Sequence, residues 1–389
     1  MTRRRPARMQ QIAGIGVDRM GAIGDGSGKD LLRLENLDVN IAPDAEAVAR
    51  TREAAGRDAE NSYLPFVGQT RLREAASRHV SAISGVSYSA ENAIVTAGGL
   101  SGILNVLLAT IETGDEVILT DPTYAGLINR VRLAGGVPRL APFIFHPGGE
   151  WRLDRQALRG AVTPRARAML LMSPSMPSGG WLDASDWALV AELCVKHDLL
   201  LIDDAAMERL LFDERPVIHP AGLAGMAERT VTVGSASKEL RMIGWRVGWI
   251  VAPASLVPDF AAVSIANGVV PVGIAQQAAA LALERSAETM PGYVSELEAR
   301  RNVVLEELKG LPVGVPGGGW SLLMRVSDFG LDGAGMAERL LEQGVCATAM
   351  AGWGEAHGAQ YIRFVFSNEP AARLRGLGAR VRAALGRPL

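Results

Sequence analysis

Lysine is scarce in this chain. Of 389 residues 40 are basic, and only four of those, Lys29, Lys196, Lys238 and Lys309, are lysines; the other 36 are arginines. Cysteine is scarcer still. Cys194 and Cys346 lie far apart with no CxxC pattern, which excludes a disulfide scaffold and points to buried free thiols in a reducing cytoplasm. The five histidines show no metal-ligand spacing, so no metal site is expected. No run of about 18 apolar residues occurs, so no membrane span is expected. A net charge of −2 gives no bulk attraction to nucleic acid or to a membrane. The basic start, MTRRRPAR, reads as a frayed tail rather than a twin-arginine signal, because no apolar stretch follows it.

Apolar residues, 48% of the chain, are ample for a packed core, and the length suits two domains or one large one. Strand-like runs alternate with helix-like segments. AIVTAGG, DEVILTDP, ARAMLLMSP, LLLIDD, RTVTVGS and WRVGWIVAP read as strands; LSGILNVLLATI and DASDWALVAELCVKHD read as helices, the second capped by Asp183 or Ser185. Such alternation predicts an α/β fold, a mostly parallel, mixed central sheet with helices on both faces. After about Pro271 the texture changes. PGYVSELEARRNVVLEELKG reads as a long amphipathic helix ending at Gly310, and VGVPGGGWSLLMRVS and QYIRFVFS read as strands of a smaller α+β unit. The expected division is an N-terminal arm (1–45) packing with the small domain, a large domain (46–285) and a small C-terminal domain (286–389).

In sheets of this kind ligands bind beyond the carboxyl ends of the strands. One of the scarce lysines, Lys238, falls there, in SASKELRMIGWRVGW (235–249). Unlike arginine, an amine can lose its proton and condense with an aldehyde. Ser235, Ser237 and Arg246 offer hydroxyls and a guanidinium fork suited to a phosphate. TAGGLSG (96–102) offers a second cradle, with the N–H groups of Gly99 and Leu100 at a helix N-terminus. An aldehyde-binding lysine beside a phosphate site suggests pyridoxal 5′-phosphate (PLP), which also needs a carboxylate at its ring nitrogen. Asp203 or Asp204, at the end of LLLIDD, supplies one.

With these residues in place, the chain resembles class I/II aminotransferases of PLP fold type I over nearly its whole length. The resemblance is carried by YLPFVGQTRLREA, GDEVILTDPTY, SPSMPSG, SASKELRMIGWRVGW and YIRFVFS. It implies a Schiff base from Lys238, Asp204 rather than Asp203 at the ring nitrogen, Tyr124 stacked on the ring, and Ser235, Arg246 and the Gly99–Leu100 amides around the phosphate. It also implies Tyr63 reaching the phosphate from a partner subunit, hence a homodimer, and Arg363 gripping the substrate carboxylate.

The chain departs from the family's pattern at three places. Met176 stands where the family has asparagine and Met207 where it has tyrosine, side chains that ordinarily donate hydrogen bonds to the cofactor's 3′-oxygen; a thioether cannot. Asn36, in NLDV, stands where a glycine usually approaches the substrate carboxylate. Trp320, with the two methionines, suggests an apolar or bulky substrate group. The expected activity is transfer of an amino group between an L-amino acid and a 2-oxo acid. The alternative is a lyase, a replacement or a C–C bond-forming reaction on the same site. A regulator built on this fold is disfavoured, because the stretch before YLPFVGQTRLREA shows no helix-turn-helix pattern.

Overall fold

A computed structural model describes residues 6–386. The first five residues of the basic start, read above as a tail, lie outside the described residues.

The strands in chain order are β1 (Leu32–Arg33), β2 (Ala93–Thr96), β3 (Glu116–Asp121), β4 (Val137–Ile144), β5 (Arg152–Leu153), β6 (Ala166–Leu171), β7 (Leu200–Asp204), β8 (Thr230–Ser235), β9 (Gly248–Val251), β10 (Ser321–Arg325), β11 (Val345–Cys346), β12 (Thr348–Ala349) and β13 (Tyr361–Val365). Eight of them form one sheet in the order β2-β9-β8-β7-β6-β3-β4-β5. The pairs from β8 through β7, β6 and β3 to β4 are parallel, whereas β9 runs against β8 and β2, and β5 against β4. All residues of β2, β3, β8 and β9 are buried, as expected of strands covered on both faces.

This order places the site. β2, β7 and β8 all leave the sheet at one edge, where the reversed β9 enters it, with Gly248 paired to both Thr96 and Ser235. The helix Ala184–His197 shows how local chemistry fixes a connection. Asp183 caps it in a reciprocal capping box with Asp186, and Asp198 ends it in a left-handed conformation (φ 52°).

The smaller unit holds an antiparallel sheet, β10-β13-β12, and the short parallel pair of β1 with β11. Arg363 in β13 pairs with Leu323 on one side and Thr348 on the other. Two sequence expectations need correction here. Only Ser321–Arg325 of VGVPGGGWSLLMRVS is a strand, because the glycine run before it, with Gly319 at φ 85°, turns the chain. The long helix begins at Ser286 and ends at Glu307, so Pro291 lies inside it. There its missing N–H removes one ladder bond without ending the helix.

One apolar cluster joins the two units, running from Ile118 and Met169 on the large sheet to Leu323 and Phe364 on the small one. Trp151, Trp320 and Trp353, all fully buried, belong to it. No helix among the described residues is long and apolar enough to cross a membrane.

Candidate active site

A cavity of about 210 Å³ opens at the carboxyl edge of β7 and β8, and Lys238 lies in its wall. Eight residues singled out in the sequence line it together: Gly99, Leu100, Tyr124, Asp204, Ser235, Ser237, Lys238 and Arg246. Met176 and Met207 line it as well.

The phosphate side is built from backbone. The helix Gly99–Thr110 starts after Gly98, whose φ of 94° suits glycine alone. A Cβ on Gly248 would come 2.6 Å from the Gly99 nitrogen and 2.7 Å from the Gly98 carbonyl carbon, and one on Gly98 would come 2.7 Å from Arg246 Nη2. Glycine therefore lets three chain segments converge around the helix N-terminus. Ser235 Oγ accepts from the Ser237 N–H (3.2 Å). Arg246 Nη1 donates to the Ile243 carbonyl (2.8 Å) and the Ser237 hydroxyl (3.4 Å). No carboxylate among the described residues pairs with Arg246. A cation, two hydroxyls and free helix N–H groups converging without an anion are what a phosphate needs.

Asp204 and Lys238 face the middle of the cavity. Asp204 Oδ1 accepts from the Ala206 N–H (3.3 Å). Burial pushes its carboxyl up to about 7, against the opposing pull of that N–H, Arg130 and Lys238. Burial pushes the Lys238 amine down to about 7; Arg363 and Arg246 add to this, while Asp38 and Asp204 oppose it. Among the described residues Lys238 Nζ reaches only the Leu37 carbonyl (3.5 Å), and it lies over the Trp320 ring, 3.9 Å from its centroid. The Tyr293 hydroxyl donates to the Lys238 carbonyl (3.3 Å) and accepts from Trp320 Nε1 (3.0 Å), fixing lysine and indole together.

Arg363 is fully buried and does not itself line the cavity, and no carboxylate among the described residues pairs with it. Its Nη2 donates to the Glu35 carbonyl (3.0 Å) and Thr348 Oγ1 (3.3 Å), while Nε and Nη1 have no hydrogen-bond partner among the described residues. Burial pushes it down to about 9. A buried guanidinium with two unanswered nitrogens is costly unless a ligand completes it. Asn36 sits half-buried between Glu35 and Leu37, but it does not line the cavity. Tyr63 does not line it either; its side chain is 81% exposed. Trp320, expected at the substrate, lies fully buried against Lys238 instead.

Two residues were not legible in the sequence. Trp353 meets Tyr124 edge-on (centroids 5.2 Å apart) and carries the Arg363 guanidinium 4.6 Å above its ring. Its Nε1 donates to the Ile15 carbonyl, which ties the N-terminal arm to the site. Arg130 donates to the Leu100 and Gly126 carbonyls (2.8 Å each) and sets its charge near Tyr124 and Asp204.

Asp203, the neighbouring aspartate of LLLIDD, belongs to the opposite face of the strand. There it meets His219 and Glu208 in a buried group close enough to ligate a metal. His219 Nδ1, however, accepts from the Ala221 N–H (3.3 Å), so the neutral ring carries its proton on Nε2, facing Thr232 Oγ1 (3.3 Å) and Asp203 (3.7 Å). A protonated ring nitrogen has no lone pair for a metal, so in this tautomer His219 offers Asp203 and Glu208, 3.7 and 3.9 Å away, a charge-facing N–H and no ligand atom.

A lysine amine, a carboxylate and a phosphate cradle around one cavity fit PLP, and the comparisons agree. Residues 33–377 match the model of the family "Aminotransferase class I and II". The arginine–pyruvate transaminase AruH of Pseudomonas aeruginosa is 34% identical over 300 residues, 76% of this chain and 75% of that one. A probable aspartate/prephenate aminotransferase of Thermus aquaticus is 33% identical over 311 residues, 78% and 80% of the two chains. Among solved structures, N-succinyldiaminopimelate aminotransferase from Mycobacterium tuberculosis superposes with a TM-score of 0.90 at 29% identity, covering 98% of this chain and all of that one. The chain belongs to the class I and II aminotransferases. It is a PLP-dependent enzyme that moves an amino group between an amino acid and a 2-oxo acid.

Proposed function

We propose that Lys238 is the residue that binds the cofactor covalently and then moves the substrate proton. The observation that carries this is its amine: half-buried in the cavity wall, with no carboxylate partner among the described residues, between Asp204 and the phosphate cradle. Bound there, PLP supplies an aldehyde for that amine and a ring that withdraws electrons from the substrate Cα.

The chain's residues do the rest. The Gly99 and Leu100 N–H groups, Ser235, Ser237 and Arg246 anchor the phosphate. Asp204 would accept the ring N–H and hold that nitrogen protonated, a cation beside it favouring the carboxylate against the upward push of burial. Tyr124 covers one ring face. Arg363 takes the substrate carboxylate, the unanswered Nη1 together with Nη2 forming the fork, and Trp353 holds Arg363 and Tyr124 in fixed relation. Lys238, whose amine the surrounding burial keeps readily deprotonated, serves as the base for the Cα proton.

The active unit is a homodimer in which Tyr63 completes the partner's phosphate site. Its exposure, and that of Phe66, Val269 and Val272, supports this. The chain divides near residue 285, where the helix Gly273–Glu284 gives way to Ser286–Glu307, and the arm before residue 46 joins the small domain through β1. The substrate side chain is apolar, since Leu37, Met172, Met176, Met207 and Ile243 share the cavity wall. The buried free thiols Cys194 and Cys346 suit a reducing cytoplasm. Lys238→Ala tests the main assignment: the variant should take up PLP without the absorbance of a Schiff base and lose turnover. Normal turnover in that variant would end it.

A further inference from the structure

We propose that Met176 and Met207 form a donor-free wall against the 3-hydroxyl of bound PLP, leaving the charge on that oxygen without a protein hydrogen bond. This rests on the reading of Lys238, Asp204 and the phosphate cradle given above.

The orientation follows from the cofactor's substitution pattern and the sheet order. PLP carries its aldehyde at C4, its phosphate arm at C5 and its hydroxyl at C3, so arm and hydroxyl flank the aldehyde on opposite sides. Asp204 ends β7. Ser235, Arg246 and Gly99 gather at β8, β9 and β2, all on one side of β7. With the ring nitrogen at Asp204, the aldehyde at Lys238 and the phosphate on the β8 side, the 3-hydroxyl faces the β6 side.

That side of the cavity is lined by Met172 and Met176, which follow β6, and by Met207, three residues beyond Asp204. All three are buried. A thioether offers no proton, and Pro177, next in the chain, has no N–H. The hydroxyls of Ser235 and Ser237 belong to the phosphate side. The buried Ser175 hydroxyl, which has no partner, is not among the lining residues.

The consequence falls on the C=N linkage between cofactor and Lys238. Its protonated form, C=NH⁺, sits beside the ring oxygen and neutralises it. Loss of that proton to solvent leaves an uncompensated anion against an apolar wall, which burial disfavours. The linkage therefore holds its proton to higher pH than it would with a donor on that side. A hydrogen bond to a charged oxygen corresponds to a shift of about one pKa unit.

The experiment is a pH titration of the absorbance of the PLP-loaded chain without substrate, the protonated linkage absorbing in the visible and the unprotonated one in the near ultraviolet. The wild type should keep its visible band well above neutral pH. Met207→Tyr and Met176→Asn should each lower the midpoint by about one unit. Met207→Phe, similar in bulk to tyrosine but without its hydroxyl, should leave it in place. A wild-type midpoint at or below neutral, or equal midpoints for the tyrosine and phenylalanine variants, would overturn the wall. A chain that shows no such band, and yields no PLP–Lys238 adduct on borohydride reduction, would overturn the underlying reading and the wall with it.

Discussion

The amine of Lys238 lies over the face of Trp320, 3.9 Å from the ring centroid. Two effects therefore compete at one nitrogen. Burial favours the free amine and brings it to about 7, while the indole face favours the ammonium. Only the free amine attacks an aldehyde. Because the pKa is depressed, the reactive form accumulates above about 7 instead of near the ordinary lysine value of roughly 10.4. The rate of PLP uptake by cofactor-free protein should rise as pH passes through about 7. Trp320→Leu removes the indole and should move that rise down by about half a unit, with Trp320→Phe moving it less. Stopped-flow absorbance checks both; a rise only near pH 10 would contradict the burial argument.

Gly248→Ala should damage the phosphate cradle and lower stability, while the secondary structure persists. Its Cβ would meet the Gly99 nitrogen at 2.6 Å, and backbone cannot step aside as a flexible side chain can. PLP affinity should fall at least tenfold, a loss of about 1.4 kcal/mol, while far-ultraviolet circular dichroism stays native. Unchanged affinity would show that the cradle tolerates widening.

Arg363→Lys should leave PLP binding intact and depress kcat/KM for amino acids by roughly two orders of magnitude, because an ammonium cannot form the two-pronged pair with a carboxylate. The Arg363 side chain has no carboxylate of its own to lose, so a drop in thermal stability alone, with kcat/KM preserved, would place it in the framework instead.

Mixing Tyr63→Ala chains with Lys238→Ala chains should restore activity that neither parent shows. In the mixed dimer one site combines an intact Lys238 with an intact Tyr63 from the other chain. The 81% exposure of Tyr63 within its own chain is the reason to expect this. Failure to recover activity under conditions where subunits exchange would remove Tyr63 from the partner's site.

Much of this was legible before the fold was known, and the reasons differ by residue. Lys238, Arg246, Ser235 and Gly99 sit at strand ends in short motifs, where local chemistry and a βα pattern coincide. Asp183 announced its helix through a capping pattern. Trp353 and Arg130 were silent, because their partners, Arg363, Tyr124 and the Leu100 carbonyl, come from elsewhere in the chain or through unmarked contacts. The His219–Asp203 contact likewise forms only when the loop after β7 folds back on the sheet. The helix start at Ser286 is hidden in the sequence because Pro291 reads as a boundary, yet packing carries the helix through it.

The most direct test of the central claim is chemical trapping. PLP-loaded protein is reduced with borohydride, digested and mapped by mass spectrometry. The adduct should appear on the peptide carrying Lys238 and not on those carrying Lys29, Lys196 or Lys309. An adduct spread evenly over the four lysines, or none at Lys238, would contradict it.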